Sequence, residues 1–254
     1  MLDLGVGTAL FLVVAAFTGG WINAVSGGGG LVQLPAVLLA FPESATLTAI
    51  GTNKVAALTG TTATTVTYVR SHQPDWAFAR RIMATTFVSA VVAAVLMTRI
   101  STDFLRPIVF VVLVAVWLFT MFRHPVGEHE VFETPKQGRA LAIAAVVGFY
   151  DGMVGPGTGA FLLIGFVALV GLSFLGASVL AKMTNGMSNL ASVIVLGALG
   201  YVHWWLAAGL ALANAAGGVV GARMAIDRGS AFVRLVFLLT TGPLILRFGW
   251  SLLA

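Results

Sequence analysis

Long apolar runs separated by short polar joints make up almost the whole chain. Before the middle they occupy residues 7–26, 31–41, 45–69, 78–98 and 105–122, and after it residues 140–154, 159–171, 175–199, 204–221 and 232–253. One helical crossing of a bilayer needs about 20 apolar residues. Lipid supplies no partners for backbone N–H and C=O groups, and most of these runs are far longer than barrel strands. The pattern therefore predicts an all-α polytopic membrane protein. The most polar stretch, 123–139, carries Pro125, Glu128, Glu130, Glu133, Pro135 and Lys136 and reads as a solvated linker. It separates an N-terminal membrane repeat, 1–122, from a C-terminal one, 140–254, each of five segments.

Matched residues support a duplication. Gly20 pairs with Gly148, Asn23 with Asp151, Gly27 with Gly155 and Gly29 with Gly157 at an interval of 128 residues; Thr52-Asn53 pairs with Thr184-Asn185 at 132, and Arg99 with Arg223 at 124, so the interval drifts. Cytoplasmic loops carry the excess of Lys and Arg. If every short segment crosses, the halves are inverted and one face collects nine basic residues (Arg70, Arg80, Arg81, Arg123, Lys136, Arg139, Arg223, Arg228, Arg234) against three (Arg99, Arg106, Arg247). If 31–41 and 159–171 turn back to the side they came from, the repeats are parallel and the split is seven against five. The larger asymmetry favours two inverted repeats, with both termini outside and the linker cytoplasmic. Segment 31–41 strains this choice, since it reaches only ~16 Å at the helical rise, about half the hydrocarbon thickness.

Composition narrows the class further. Hydrophobic residues are 59% and charged residues 9% of the chain, whereas a soluble domain is about a quarter charged. The net charge of +5 comes from basic residues dispersed at helix ends, with no basic stripe and interleaved aromatics, which argues against nucleic acid. There is no cysteine, hence no disulfide framework, thiolate metal site or cysteine nucleophile. The N-terminus lacks the positive leader region of a cleaved signal peptide and reads as a retained first helix. His72, His124, His129 and His203 lack metal-ligand spacing, and no phosphate loop is present, so the chain is read as a non-enzyme without cofactor or metal.

Candidate chemistry collects where the apolar pattern is interrupted. Spaced glycines such as Gly217, Gly218 and Gly221 suit close helix packing, and the threonines of 59–67 suit interhelical hydrogen bonds. Four consecutive glycines, Gly27 to Gly30, exceed what one packing face needs, and each costs about 1 kcal/mol of helix propensity relative to Ala. The helix is therefore predicted to break there, and again at Gly155-Pro156-Gly157-Thr158-Gly159, where Pro156 disrupts the ladder. Paired breaks, one in each half, are the mark of a secondary transporter with a midplane site and half-helix N-termini aimed at an anion.

Lys54 lies ~14 Å into its helix and Lys182 ~10 Å, and an intramembrane lysine costs about 2.5–3.5 kcal/mol. With Asn23, Thr52, Asn53, Thr184 and Asn185, and with the amides of Gly28, Gly29, Gly30, Gly157, Thr158 and Gly159, the lysines would form a donor-rich pocket for an oxyanion. Asp151 is the acidic residue well inside a span. It pairs with a lysine while the site is empty, carries a coupling proton, or balances Lys54 or Lys182 structurally.

The run Asn23-Ala24, Gly27 to Gly30, Leu34-Pro35 and Thr52-Asn53-Lys54, with the Gly155/Gly157/Gly159 and Thr184-Asn185 copies, resembles the sulfite exporter TauE/SafE family of membrane permeases. The resemblance covers both halves. It implies a multi-pass carrier in the cytoplasmic (inner) membrane of a prokaryote that moves sulfite, organosulfonates or related sulfur anions using the proton gradient, with a homodimer as candidate assembly. Asp151 in place of Asn23, and Gly-Pro-Gly-Thr-Gly in place of the glycine run, make the two halves of the site unequal. The expected partners are the anion, protons and lipid. An uncoupled anion channel and a non-transporting accessory subunit are the alternatives.

Overall fold

The computed structural model describes residues 5–41, 46–99 and 136–253. The predicted segment 105–122 and linker residues 123–135 lie outside them. Helices account for nearly all of the described chain: α1 (Val6–Ser26), α2 (Gly30–Ala40), α3 (Thr46–Ser71), α4 (Trp76–Met97), α5 (Gln137–Met153), α6 (Thr158–Gly165) with a π-helical turn (Phe166–Val170), α7 (Phe174–Ala198) and α8 (Trp204–Leu253). Four helices are long and apolar enough to cross a membrane, namely α1, α4, and the stretches Leu175–Ala198 and Trp204–Gly229. The end of the predicted linker is helical from Gln137, and the two last predicted segments form one bent element. The bend falls at Gly229, whose φ of 72° and ψ of −166° only glycine adopts readily.

Local sequence sets the helix boundaries. Asp75 caps α4 by accepting from the N–H groups of Ala77 (2.9 Å) and Phe78 (3.2 Å), and Ser173 caps α7 through Gly176 N–H. α1 stops where Gly27 turns left-handed (φ 82°) and its N–H folds back onto the carbonyls of Ile22 and Asn23. α2 starts at Gly30 and runs back along α1: Gly29 lies against Gly19 and Asn23, Gly19 against Gln33, and Leu12 shares a cluster with Val37. α5 and α6 do the same, with Tyr150 edge-on to Phe161 at 5.3 Å and Arg139 donating to the carbonyl of Leu169. Each short helix thus returns alongside the long one that precedes it.

Helices α1, α3 and α8 run in one direction, since Gly20 meets Asn214, Gly221 meets Ala24, Gly51 meets Tyr201 and Gly218 meets Thr64. Helices α4 and α5 share a direction with each other, through Gly148 against Thr86 and Gly152 against Ala90. α7 runs opposite to α3, because Gly176 lies near His72 and Gly186 near Thr61. Three helix starts recur at one interval: Gly30 and Thr158, Thr46 and Phe174, Trp76 and Trp204, each 128 residues apart. That spacing pairs Lys54 with Lys182, and it replaces the drifting interval read from the Thr-Asn dipeptides.

Apolar clusters occupy the two ends of the bundle. One gathers Tyr68, Ile82, Ala140, Phe166 and Ala222, the other Leu12, Val37, Ala49 and Leu210. The outer surface exposes Phe11, Val14, Val88, Val92, Val146 and Leu212, the inverse of a soluble protein and what a lipid-facing wall requires. Between the two ends lies a buried band of polar side chains.

Candidate functional site

The two turns between long and short helices meet inside the bundle. A Cβ on Gly159 would come within 2.6 Å of Gly27 Cα, and one on Gly27 would strike the backbone of Gly159 and Ala160. Glycine is required at this crossing because two backbones share the space of a side chain. The other glycines of the run differ. Gly29 also packs tightly, within 2.5 Å of Asn23 Cβ for an added methyl, while Gly28 and Gly30 have ordinary clearance, 3.6 Å to Ile22 and 3.5 Å to Pro156. Among the described residues, the N–H groups of Gly28, Gly29, Gly30, Gly157 and Gly159 make no backbone hydrogen bond in this turn region, as first-turn amides must.

The lysines bind these turns crosswise. Lys54, on α3, donates to the backbone carbonyl of Asp151 (2.7 Å) and forms an ion pair with its Oδ1 (2.8 Å) at the end of α5. Lys182, on α7, donates to the backbone carbonyl of Asn23 near the end of α1. Each lysine therefore sits where a helix presents unpaired carbonyls and partial negative charge. The Asp151 carboxylate also accepts from Thr158 Oγ1 (2.7 Å) and from the Ser188 hydroxyl. Asn23 in the corresponding place donates Nδ2 to Thr61 Oγ1 (3.0 Å). Lys54 is thus matched by a carboxylate, whereas the recorded contact of Lys182 is a neutral carbonyl.

Beside this junction lies a cavity of about 30 Å³ for water centres, room for about two waters. Of the residues expected at the site, Asn23, Gly29, Gly30, Asn53, Lys54, Asp151, Thr158, Gly159 and Asn185 line it. Gly28, Thr52, Gly157, Lys182 and Thr184 do not. Thr52 instead accepts from the N–H of His203 at the turn between α7 and α8 (3.0 Å), and the buried Thr184 hydroxyl has no partner.

Gln33, Asn189 and Asn214 also line the cavity and were missed. A signal for each was present. Gln33 is a polar residue in a short apolar run, Ser188 and Asn189 follow Asn185 on its own helical face, and Asn214 is embedded in a small-residue stretch that was read only as packing. Gly20 and Gly60 explain how Asn214 fits, because an added Cβ on either would collide with its backbone or carboxamide. No group of three or more His, Asp or Glu side chains is placed to hold a metal among the described residues.

The family model for the sulfite exporter TauE/SafE matches residues 12–248. The chain is 32% identical over 250 residues to a probable membrane transporter protein, ORF9, of a Sinorhizobium species, covering 97% of this chain and 94% of that one. It is 29% identical over 229 residues to the probable membrane transporter protein YfcA of Escherichia coli K12, covering 88% and 82%. A probable membrane transporter protein of Haemophilus influenzae is 26% identical over 258 residues, covering 98% and 99%. No solved structure gives a significant match. Apolar helices with the spacing of membrane spans, paired glycine turns and a match across nearly the whole length agree: the chain belongs to the sulfite exporter TauE/SafE family of membrane transporters.

Proposed function

We propose that this protein is a proton-coupled secondary transporter that exports small sulfur-containing anions, such as sulfite or organosulfonates, across the cytoplasmic membrane. The observation that carries the reading is the crosswise reach of Lys54 and Lys182 to the turns of opposite halves. In this reading α1 to α4 and α5 to α8 belong to two inverted repeats, supported by the common 128-residue interval of three helix starts and by the opposed directions of α3 and α7. Their broken helices enter from opposite faces and meet at the midplane, and alternating access follows from one repeat rocking against the other about that junction.

The anion engages Lys54 with Asn23, Asn53, Asn185 and the amides of the two turns. It displaces the Asp151 carboxylate from Lys54, and Asp151 takes one proton from the water-filled side. Release of the anion on the other side restores the ion pair as Asp151 gives the proton up, so anion and proton move together. Lys182 acts by holding the end of α1.

Reconstituted vesicles test this. An imposed pH gradient should drive uphill accumulation of sulfite or a sulfonate, and Lys54→Ala and Lys182→Ala should each abolish it. Unchanged flux in both variants refutes the site. Flux that never accumulates uphill identifies an uncoupled channel instead.

A further inference from the structure

We infer that Gln33, Asn53 and Asn214 form a specificity subsite for a hydrogen-bond donor carried by the transported anion. The inference rests on the carrier reading above and names which anions it favours. The three residues come from α2, α3 and α8, are 2%, 7% and 2% exposed, and line the same cavity. Gln33 Nε2, Asn53 Oδ1 and Asn214 Oδ1 are buried without a hydrogen-bond partner. Asn214 Nδ2 donates to Gln33 Oε1 at 2.5 Å.

That single bond joins two carboxamides that between them offer two nitrogens and two oxygens. Turning both amides over exchanges the bonded nitrogen and oxygen and again leaves one amide nitrogen and one amide oxygen without a partner. Asn53 adds a further oxygen. The pocket therefore offers acceptors as well as a donor beside the lysine and glycine-turn donors, a mixture that a bare oxyanion does not match. Buried polar groups left unpaired are costly, so the arrangement is complete only when an occupant accepts from one group and donates to the others. Water can do both. An anion that expels the water keeps those bonds only if it brings its own O–H or N–H; otherwise it strands them. The matching ligand is a small oxyanion bearing one such group.

Calorimetric binding to the detergent-purified full chain tests this with three sulfonates of similar size: ethanesulfonate, 2-hydroxyethanesulfonate and 2-aminoethanesulfonate. The hydroxyl or the amino compound should bind at least about tenfold more tightly than ethanesulfonate, and the stronger of the two identifies the donor. In Gln33→Met with Asn214→Leu that ratio should fall to about one while ethanesulfonate binding persists. Equal binding of all three to the unaltered protein overturns the inference and leaves the carrier reading standing. Saturable binding of none overturns both. A variant that keeps the full ratio removes Gln33 and Asn214 from the role, and if the variant does not fold, the ratio in the unaltered protein decides alone.

Discussion

Alanine in place of Gly27 and of Gly28 separates two accounts of the glycine run. If the run served only to weaken helix, the two substitutions would act alike. The structure distinguishes them. Gly27 has φ 82°, where an L-residue costs about 1–2 kcal/mol, and its Cβ would strike the backbone of Gly159 and Ala160, adding about 1–3 kcal/mol of overpacking. Gly28 has no positive φ, and its Cβ would rest 3.6 Å from Ile22 in ordinary contact, so Gly28→Ala should stay within about 1 kcal/mol in either direction.

The loss for Gly27→Ala then sums to roughly 2–5 kcal/mol, a fall of about 5–15 °C in a chain of this size, against about 3 °C or less for Gly28→Ala. Thermal unfolding of the two purified variants in one detergent reads the difference, and uptake into vesicles shows whether the junction still moves. A Gly28→Ala variant as damaged as Gly27→Ala would refute the argument that one backbone crossing, rather than glycine content, fixes this turn.

Three further outcomes follow from the same geometry. Lys54→Met should lower stability by about 3–5 kcal/mol because it leaves the Asp151 carboxylate buried without its cation; adding Asp151→Asn should restore most of that loss in thermal unfolding without restoring transport. Gly229→Ala should cost about 1–3 kcal/mol through backbone strain alone, since no atom lies within 4 Å of the added Cβ; a variant of unchanged melting temperature would contradict the bend. Thr52→Val should lose about 0.5–1.5 kcal/mol with its bond to the His203 N–H and leave the KM for anion unchanged, because Thr52 lies off the cavity.

Much of this architecture was legible as local pattern. Apolar run lengths gave the helices, Asp75 and Ser173 marked where two of them start, and Gly27 to Gly30 marked where one stops, since hydropathy, capping and glycine chemistry act within a few residues. The buried lysines were visible for the same reason, as charges in apolar runs. The duplication was harder to align. The Thr-Asn dipeptides invited a drifting interval, whereas three helix starts keep a constant 128 residues, because helix starts follow packing and dipeptides recur by chance.

The sequence by itself determined that this chain is a helical membrane protein with two glycine turns and two buried lysines, because those features follow from each segment's own hydropathy and backbone freedom. Only the tertiary structure decided the partners. Lys54 chose Asp151, 97 residues away, while Lys182 received a carbonyl. Asn214 met Gln33 across 181 residues. Such pairings are fixed by which helix faces touch, and that depends on α2 running back along α1 and on Gly20 and Gly60 leaving room for Asn214. No local rule reaches so far along a chain.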